Sequence, residues 1–240
     1  MFKEIEMLDL SSIKAVFFDF GDTLTTTIET YPKRIELSFI ENGFSFTANE
    51  FINAYLRADY QIFKHYSSSN FLPHSEHQNL LYKFLTNNLK INENPKNIKS
   101  KIKNSLKEIQ YKRVKLAGCN EILELLKDKG LKLAVISNND GKTEEKCENV
   151  GIKNYFDIII DSTKVKIVKP DKDIFNLALK KLNLAKEEVV HIGDLYGSDI
   201  LGAMNAGLQP IWINHRNAEN YESLKIPTVK NLNELISIFN

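Results

Sequence analysis

Two short stretches of this chain place an aspartate where an apolar run stops. Near the N-terminus, Val16-Phe17-Phe18-Asp19-Phe20-Gly21-Asp22-Thr23-Leu24 turns polar at Asp19. Near the C-terminus, His191-Ile192-Gly193-Asp194-Leu195-Tyr196-Gly197-Ser198-Asp199 does so at Asp194. In a parallel α/β sheet this pattern puts a carboxylate at the carboxyl end of a buried strand, the edge at which ligands bind. Two such ends side by side make an acidic pocket suited to a hard cation such as Mg2+, held through carboxylates and substrate phosphate. An aspartate at a strand mouth can also attack phosphorus and carry the phosphoryl group as an aspartyl-phosphate. For Asp19 the plainer alternative is a turn residue that only caps the next segment.

Other residues fall at comparable places. Ser137 ends the run Val135-Ile136-Ser137-Asn138-Asn139-Asp140 shortly before a helical segment. There a hydroxyl and backbone N–H groups could hold a phosphoryl oxygen, or simply cap the helix. Lys169-Pro170-Asp171 precedes another helix, and a cation near Asp19 would offset phosphate and carboxylate charge. Lys164 and Lys166 compete for that role, and the proline after Lys169 favours Lys169 by fixing the turn. Gly193 permits a sharp strand exit toward Asp194. Asp199 could reach a metal shell, orient Lys169 or cap a helix. His191 reads as a packed core histidine. His74 and His77 lack a metal-binding context and read as a surface pair.

The strands and helices that must carry these residues are legible as an α/β pattern. Residues 14–18, 131–136, 155–160, 189–192 and 211–213 read as strands, each a short apolar run stopped by turn-formers. Residues 121–129, 142–150, 171–182 and 198–206 read as helices between them, three of them closed by Gly130, Gly151 and Gly207. Such alternation predicts a parallel sheet with right-handed crossovers. From residue 29 to 113 the pattern changes to helical periodicity with no strand-like alternation. Ile35, Phe39 and Ile40, then Phe51, Tyr55 and Leu56, then Leu80, Leu81, Phe84 and Leu85, then Ile98, Ile102, Leu106 and Ile109 outline about four helices. Breaks fall at Gly43, residues 67–73 and residues 92–95. The expectation is a Rossmann-like parallel sheet core from residues 1–25 and 114–240, with an all-helical cap inserted at 26–113.

Composition narrows the partners. The 240 residues are 42% hydrophobic, enough for a sizeable core, and the net charge is +1 from 32 basic and 31 acidic residues. That balance disfavours nucleic acid or a membrane surface as a partner. The Lys-rich segment 96–115 reads as a solvated helix face. Cys119 and Cys147 stand alone, without zinc-site or disulfide spacing. With no secretory signal and no run long enough to span a bilayer, a cytoplasmic location is expected. The oligomeric state is not legible.

Asp19 to Leu24, Ser137-Asn138, Lys169-Pro170 and Gly193-Asp194 through Asp199 come in one chain order. That set resembles the haloacid dehalogenase (HAD) superfamily, mostly phosphohydrolases. Residues 119–139 and 169–182 also look like that family, and the helical insert lies where the family places its C1-type cap. The resemblance implies an enzyme that hydrolyses a small phosphorylated metabolite with Mg2+. Asp19 would be the nucleophile. Thr23 and Ser137 would contact the phosphoryl group, Asn138 would help bind it, and Lys169 would neutralise it. Asp19, Asp194 and the Gly21 carbonyl would hold the metal, with Asp199 in its outer shell.

One departure from that pattern has chemical weight. Family phosphatases carry a second aspartate two residues after the nucleophile as general acid/base, and here Gly21 stands there. Losing a general acid costs about 10²- to 10⁴-fold, or roughly 3–5 kcal/mol of barrier. The gap predicts a bias toward acyl, aryl and other good leaving groups, unless Asp22 or a cap residue supplies the proton. Asp22 could equally brace the turn, since one residue's shift along an extended chain reverses the side-chain direction. Members without the second aspartate include 2-haloacid dehalogenases, which also lack the Gly193-Asp194 pair kept here, and phosphonoacetaldehyde hydrolase. The latter uses a cap lysine, for which Lys33 and Lys64 are nominal candidates. A HAD-fold binding or regulatory protein without turnover is a further alternative. A closing cap excludes water and large substrates, and Tyr31, Arg34 and Arg57 on the early cap helices are candidates for setting specificity.

Overall fold

The computed structural model describes residues 10–69 and 72–240. Six parallel strands form its central sheet: β1 (Ala15–Phe18), β4 (Lys132–Ser137), β5 (Ile158–Asp161), β6 (Val189–Gly193), β7 (Gln209–Ile213) and β8 (Thr228–Val229). The order is β5-β4-β1-β6-β7-β8. The chain leaves β1 to one side and later returns to its other side, so β1 sits at the point where strand order reverses. Ligands bind outside the carboxyl ends of the strands at such a point.

β1 is an unbroken apolar run because both faces of a parallel sheet are covered. Val16 and Phe18 pack with α5 (Cys119–Asp128) and α10 (Leu232–Phe239) in one buried cluster. Ala15 and Phe17 pack with α8 (Lys172–Leu182) and α9 (Gly202–Ala206) in another. Phe17 and Phe18 are fully buried, and burial of each contributes about 1.5–3 kcal/mol. The strand ends where Asp19 introduces a carboxylate that the core cannot hold unpaired.

Four helices lie between the first and second sheet strands: α1 (Tyr31–Glu41), α2 (Ala48–Ser69), α3 (His74–Asn88) and α4 (Pro95–Glu108). Thr30 caps α1 and Asn94 caps α4, each with proline just inside the helix. Ile35, Phe39, Phe51, Ile62, Leu85, Ile98 and Ile102 form the insert's own core. The expectation of no strand in this region fails at its border. β2 (Thr25–Ile28) and β3 (Lys112–Lys115) pair antiparallel into a ribbon that straddles the expected junctions. The β-branched Thr-Thr-Thr-Ile of β2 favours that conformation. Two short helices complete the sheet's surroundings, α6 (Thr143–Asn149) and α7 (Ser162–Val165). No helix among the described residues is long and apolar enough to cross a membrane.

Candidate active site

The carboxyl ends of β1, β4 and β6 and the underside of the insert enclose one cavity of about 580 Å³. Asp19, Gly21, Asp22, Ser137, Asn138, Lys169 and Asp194 all line it. The backbone N–H of Asp19 donates to the Ile192 carbonyl at 2.8 Å, continuing the β1–β6 ladder one residue into the site. Lys169 Nζ donates to Asp19 Oδ1 and Asp199 Oδ1, both at 2.6 Å, and the lysine is 1% exposed. Burial alone would lower the Lys169 pKa, but the two carboxylates outweigh it and hold the ammonium charged. Lys164 and Lys166 are exposed, so the choice among the three lysines falls on Lys169.

Asn138 fixes that lysine's backbone, donating to the Lys169 carbonyl at 2.9 Å and accepting from its N–H at 2.8 Å. Its side chain is thereby engaged, which leaves the backbone rather than the amide for a phosphoryl group. The loop after Ser137 is held by Asp161, whose carboxylate accepts from the N–H groups of Gly141 and Thr143 and the hydroxyl of Thr143.

Asp199 accepts from Leu195 N–H at 3.0 Å and lies 3.3 Å from His191 Nε2. Burial raises its pKa, yet Lys169 and His191 pull it well below the usual range. His191 is buried as expected, and its bond to Asp199 adds a positioning contact that the sequence reading did not include. Gly193 matters for a different reason than a sharp exit: a Cβ there would overlap the Asp199 carboxylate.

Thr23 departs from its expected place. It is fully buried and does not line the cavity, and its hydroxyl donates to Asp194 Oδ1 at 3.3 Å. Asp22 sits in the left-handed region, with φ of 60°. One of its oxygens accepts from Thr26 and the other from Arg216, the arrangement of a braced turn. Arg216 also bonds Asp194, so a single guanidinium bridges two carboxylates across the site. Its loop follows β7 and carries no catalytic spacing, so nothing in the sequence singled it out.

Asp19, Asp194 and Asp199 offer carboxylate oxygens within 4.8 Å of one another. Burial pushes Asp19 up to about 6 against the pull of Lys169, and burial also holds Asp194 well above the usual carboxylate range despite Arg216. Three buried carboxylates with one lysine and one arginine among them leave a place for more positive charge, and Arg216 on Asp194 is a stand-in cation. The donor set is all oxygen and fits a hard divalent ion.

The insert contributes Tyr31, Arg34 and Asp59, which line the cavity, whereas Arg57 is exposed and does not. His74 and His77 line it rather than forming a surface pair. His77 Nε2 is buried without a hydrogen-bond partner, and burial, with His74 and Lys169 adding, pushes its pKa down to about 4. Lys99 and Lys103, within the segment expected to be solvated, also face the cavity. Lys33 pairs with Glu36 and Lys64 with Glu222, and neither lines the cavity.

The comparisons agree with this architecture. Residues 16–213 match the model of the haloacid dehalogenase-like hydrolase family. The chain is 29% identical over 228 residues to a pyrimidine 5'-nucleotidase of Escherichia coli K12, covering 92% of this chain and 95% of that protein. It is 32% identical over 212 residues to a glyceraldehyde 3-phosphate phosphatase of Methanothermobacter thermautotrophicus, covering 84% and 86%. A Bacillus subtilis HAD-hydrolase bound to magnesium shares the fold, with a TM-score of 0.64, 21% identity and 95% and 99% coverage. With its strand-end carboxylates, buried lysine and parallel sheet in place, this chain belongs to the haloacid dehalogenase-like hydrolase family and is a hydrolase.

Proposed function

We propose that this chain is a Mg2+-dependent phosphohydrolase of small phosphorylated metabolites, with Asp19 as nucleophile. The observation that carries the reading is the Asp19 carboxylate at the end of β1, tied at 2.6 Å to a buried Lys169 and grouped with Asp194. Curated relatives of similar length named for nucleotide and triose phosphate hydrolysis support it.

An Asp19 oxygen forms a bond to phosphorus while the ester P–O bond breaks, and the leaving oxygen departs as an anion that takes its proton from solvent. Water then adds to the phosphorus of the aspartyl-phosphate and gives up a proton to solvent as the Asp19 O–P bond breaks, so phosphate leaves and the carboxylate returns. Lys169 neutralises the phosphoryl oxygens and lowers the cost of bringing a phosphate dianion to a carboxylate. Ser137 and the backbone of Asn138 orient the group. Asp19, Asp194 and the Gly21 carbonyl would hold Mg2+, which supplies charge stabilisation for the transferring phosphoryl group. Asp199 and His191 position Lys169, and the insert excludes bulk water. Gly21 offers no acid and Asp22 is committed to Thr26 and Arg216, so aryl and acyl phosphates are the favoured substrates.

The test is phosphate release from aryl, acyl and sugar phosphates, with Mg2+ or a chelator, for the wild type and Asp19→Asn. Metal-dependent turnover that Asp19→Asn abolishes is the expected result. Absence of turnover on every ester, with halide released from a 2-haloacid, would transfer the chain to dehalogenase chemistry.

A further inference from the structure

The acidic end of the cavity faces a wall with the opposite charge, and that wall holds two arginines with unused capacity. Arg113 projects from β3 with its guanidinium 4.8 Å from the ring centroid of Phe20, the residue after the nucleophile. Thr27 lies directly across the ribbon from Arg113. The Arg34 guanidinium approaches that same Thr27 hydroxyl at 3.5 Å and stacks 3.8 Å from the Tyr111 ring centroid. The two guanidiniums therefore share one corner of the cavity. Arg34 is 7% exposed, and the Nε atoms of both arginines are buried without a hydrogen-bond partner.

By contrast, Lys169 and Arg216 each contact two carboxylates. Among the described residues Arg34 and Arg113 form no ion pair; their neutral neighbours are Thr25, Thr27 and aromatic faces. A desolvated cation with no carboxylate in direct contact is costly. Burial pulls both guanidiniums down from their ordinary range against the longer-range pull of Asp22 on both and of Asp19 on Arg113, and Arg34 depresses Arg113 further. An anion between them would relieve both penalties, and the planar fork of arginine suits a carboxylate or a phosphate.

We infer that Arg34 and Arg113 form a clamp for a second anionic group, a carboxylate or phosphate, on a substrate whose scissile phosphate sits at Asp19. The inference rests on the phosphohydrolase reading and names its substrate class. Aromatic stacking by Tyr31 and Tyr111 immobilises Arg34, so little side-chain freedom is lost on binding.

Calorimetric titration of the Mg2+-loaded protein with three non-hydrolysable probes tests it: methylphosphonate, phosphonoacetate and methylenebisphosphonate. Phosphonoacetate or the bisphosphonate should bind at least about tenfold tighter than methylphosphonate, and which one prevails separates carboxylate from phosphate. In Arg113→Gln and Arg34→Gln, assayed separately, that ratio should fall to near unity. A parallel ratio of kcat/KM for 4-carboxyphenyl phosphate over phenyl phosphate should fall with it. Equal binding of the three probes by the wild type overturns the clamp, as does an equal loss for all three in both variants. Discrimination among the probes with no turnover of any ester would keep the clamp and remove the phosphohydrolase reading. Turnover without discrimination would do the reverse.

Discussion

At the scale of single residues, Gly21 is the position where a small change has the largest predicted chemical effect. A Cβ built there meets nothing within 4 Å, and its φ lies outside the left-handed region. The cavity therefore has room for the acid that family phosphatases place at this position. Gly21→Asp should raise turnover of alkyl phosphates about 10²-fold or more, with a much smaller gain on aryl phosphates, which need no proton on departure. The ratio of the two rates is the measurement, and an unchanged ratio in a folded variant would remove the missing acid as the explanation of leaving-group bias. Arg216 is the second such residue. Its guanidinium bridges Asp22 and Asp194, and a metal ion must compete with it for Asp194. Arg216→Gln should tighten Mg2+ binding about tenfold, roughly 1.4 kcal/mol, in a direct titration of metal into protein. Weaker Mg2+ binding would show instead that Arg216 assembles the acidic pocket.

At the scale of elements, a buried carboxylate on the insert latches it to the loop after β6. Asp59 on α2 accepts from the N–H groups of Gly197 and Ser198 at 2.6 and 3.1 Å, and from the Ser198 hydroxyl. These donors belong to the π-helical turn Tyr196–Leu201 that follows the Asp194 loop. Gly197 is required there because a Cβ would overlap the Asp59 backbone. Phe63 packs beside the latch on Tyr196, Ile200 and Trp212, and Tyr66 donates to Asp171 at 3.2 Å. Asp59→Ala strands buried donors and should cost about 1–3 kcal/mol in denaturant unfolding. Burial pushes the Asp59 pKa up to about 6 from 3.8 despite its three donors. A folded value above the unfolded one means stability that is full below pH 4 and lost as pH rises through 6. Relative to Asp59→Asn, the wild type should lose up to about 3 kcal/mol between pH 4 and pH 7. Parallel stability–pH curves for the two proteins would show that the latch does not titrate.

At the scale of the whole molecule, sheet, loops and insert converge on one cavity with an acidic pole at Asp19, Asp22 and Asp194 and a basic wall opposite. Ligands that bind the folded chain and not the unfolded one stabilise it by mass action. Mg2+ at 100 times its dissociation constant should add about 2.7 kcal/mol, raising Tm by about 5–10 °C for a chain of this size. A chelator should reverse the shift, and Asp194→Asn should abolish it. An unchanged Tm in saturating Mg2+ would mean that the carboxylate group does not hold the ion.

The amino-acid sequence by itself determined five of the six parallel strands, missing only the two-residue β8, together with the helical insert and the strand-end positions of Asp19, Ser137 and Asp194. Parallel strands buried on both faces appear as continuous apolar runs, and each ends where a polar residue begins, so the signal is local. It did not contain the β2–β3 ribbon as a recognisable element, because β3 is Lys-Arg-Val-Lys and half exposed. Only the tertiary structure decided that Lys169 lies between Asp19 and Asp199 rather than on the surface. It likewise decided that Thr23 turns inward, that His77 faces the cavity, and that Arg113 and Arg34 share one corner of it. Arg216 and Asp22 are 194 positions apart. Such pairs leave no periodicity and no spacing in the chain, because their distance is set by the packing of several elements at once.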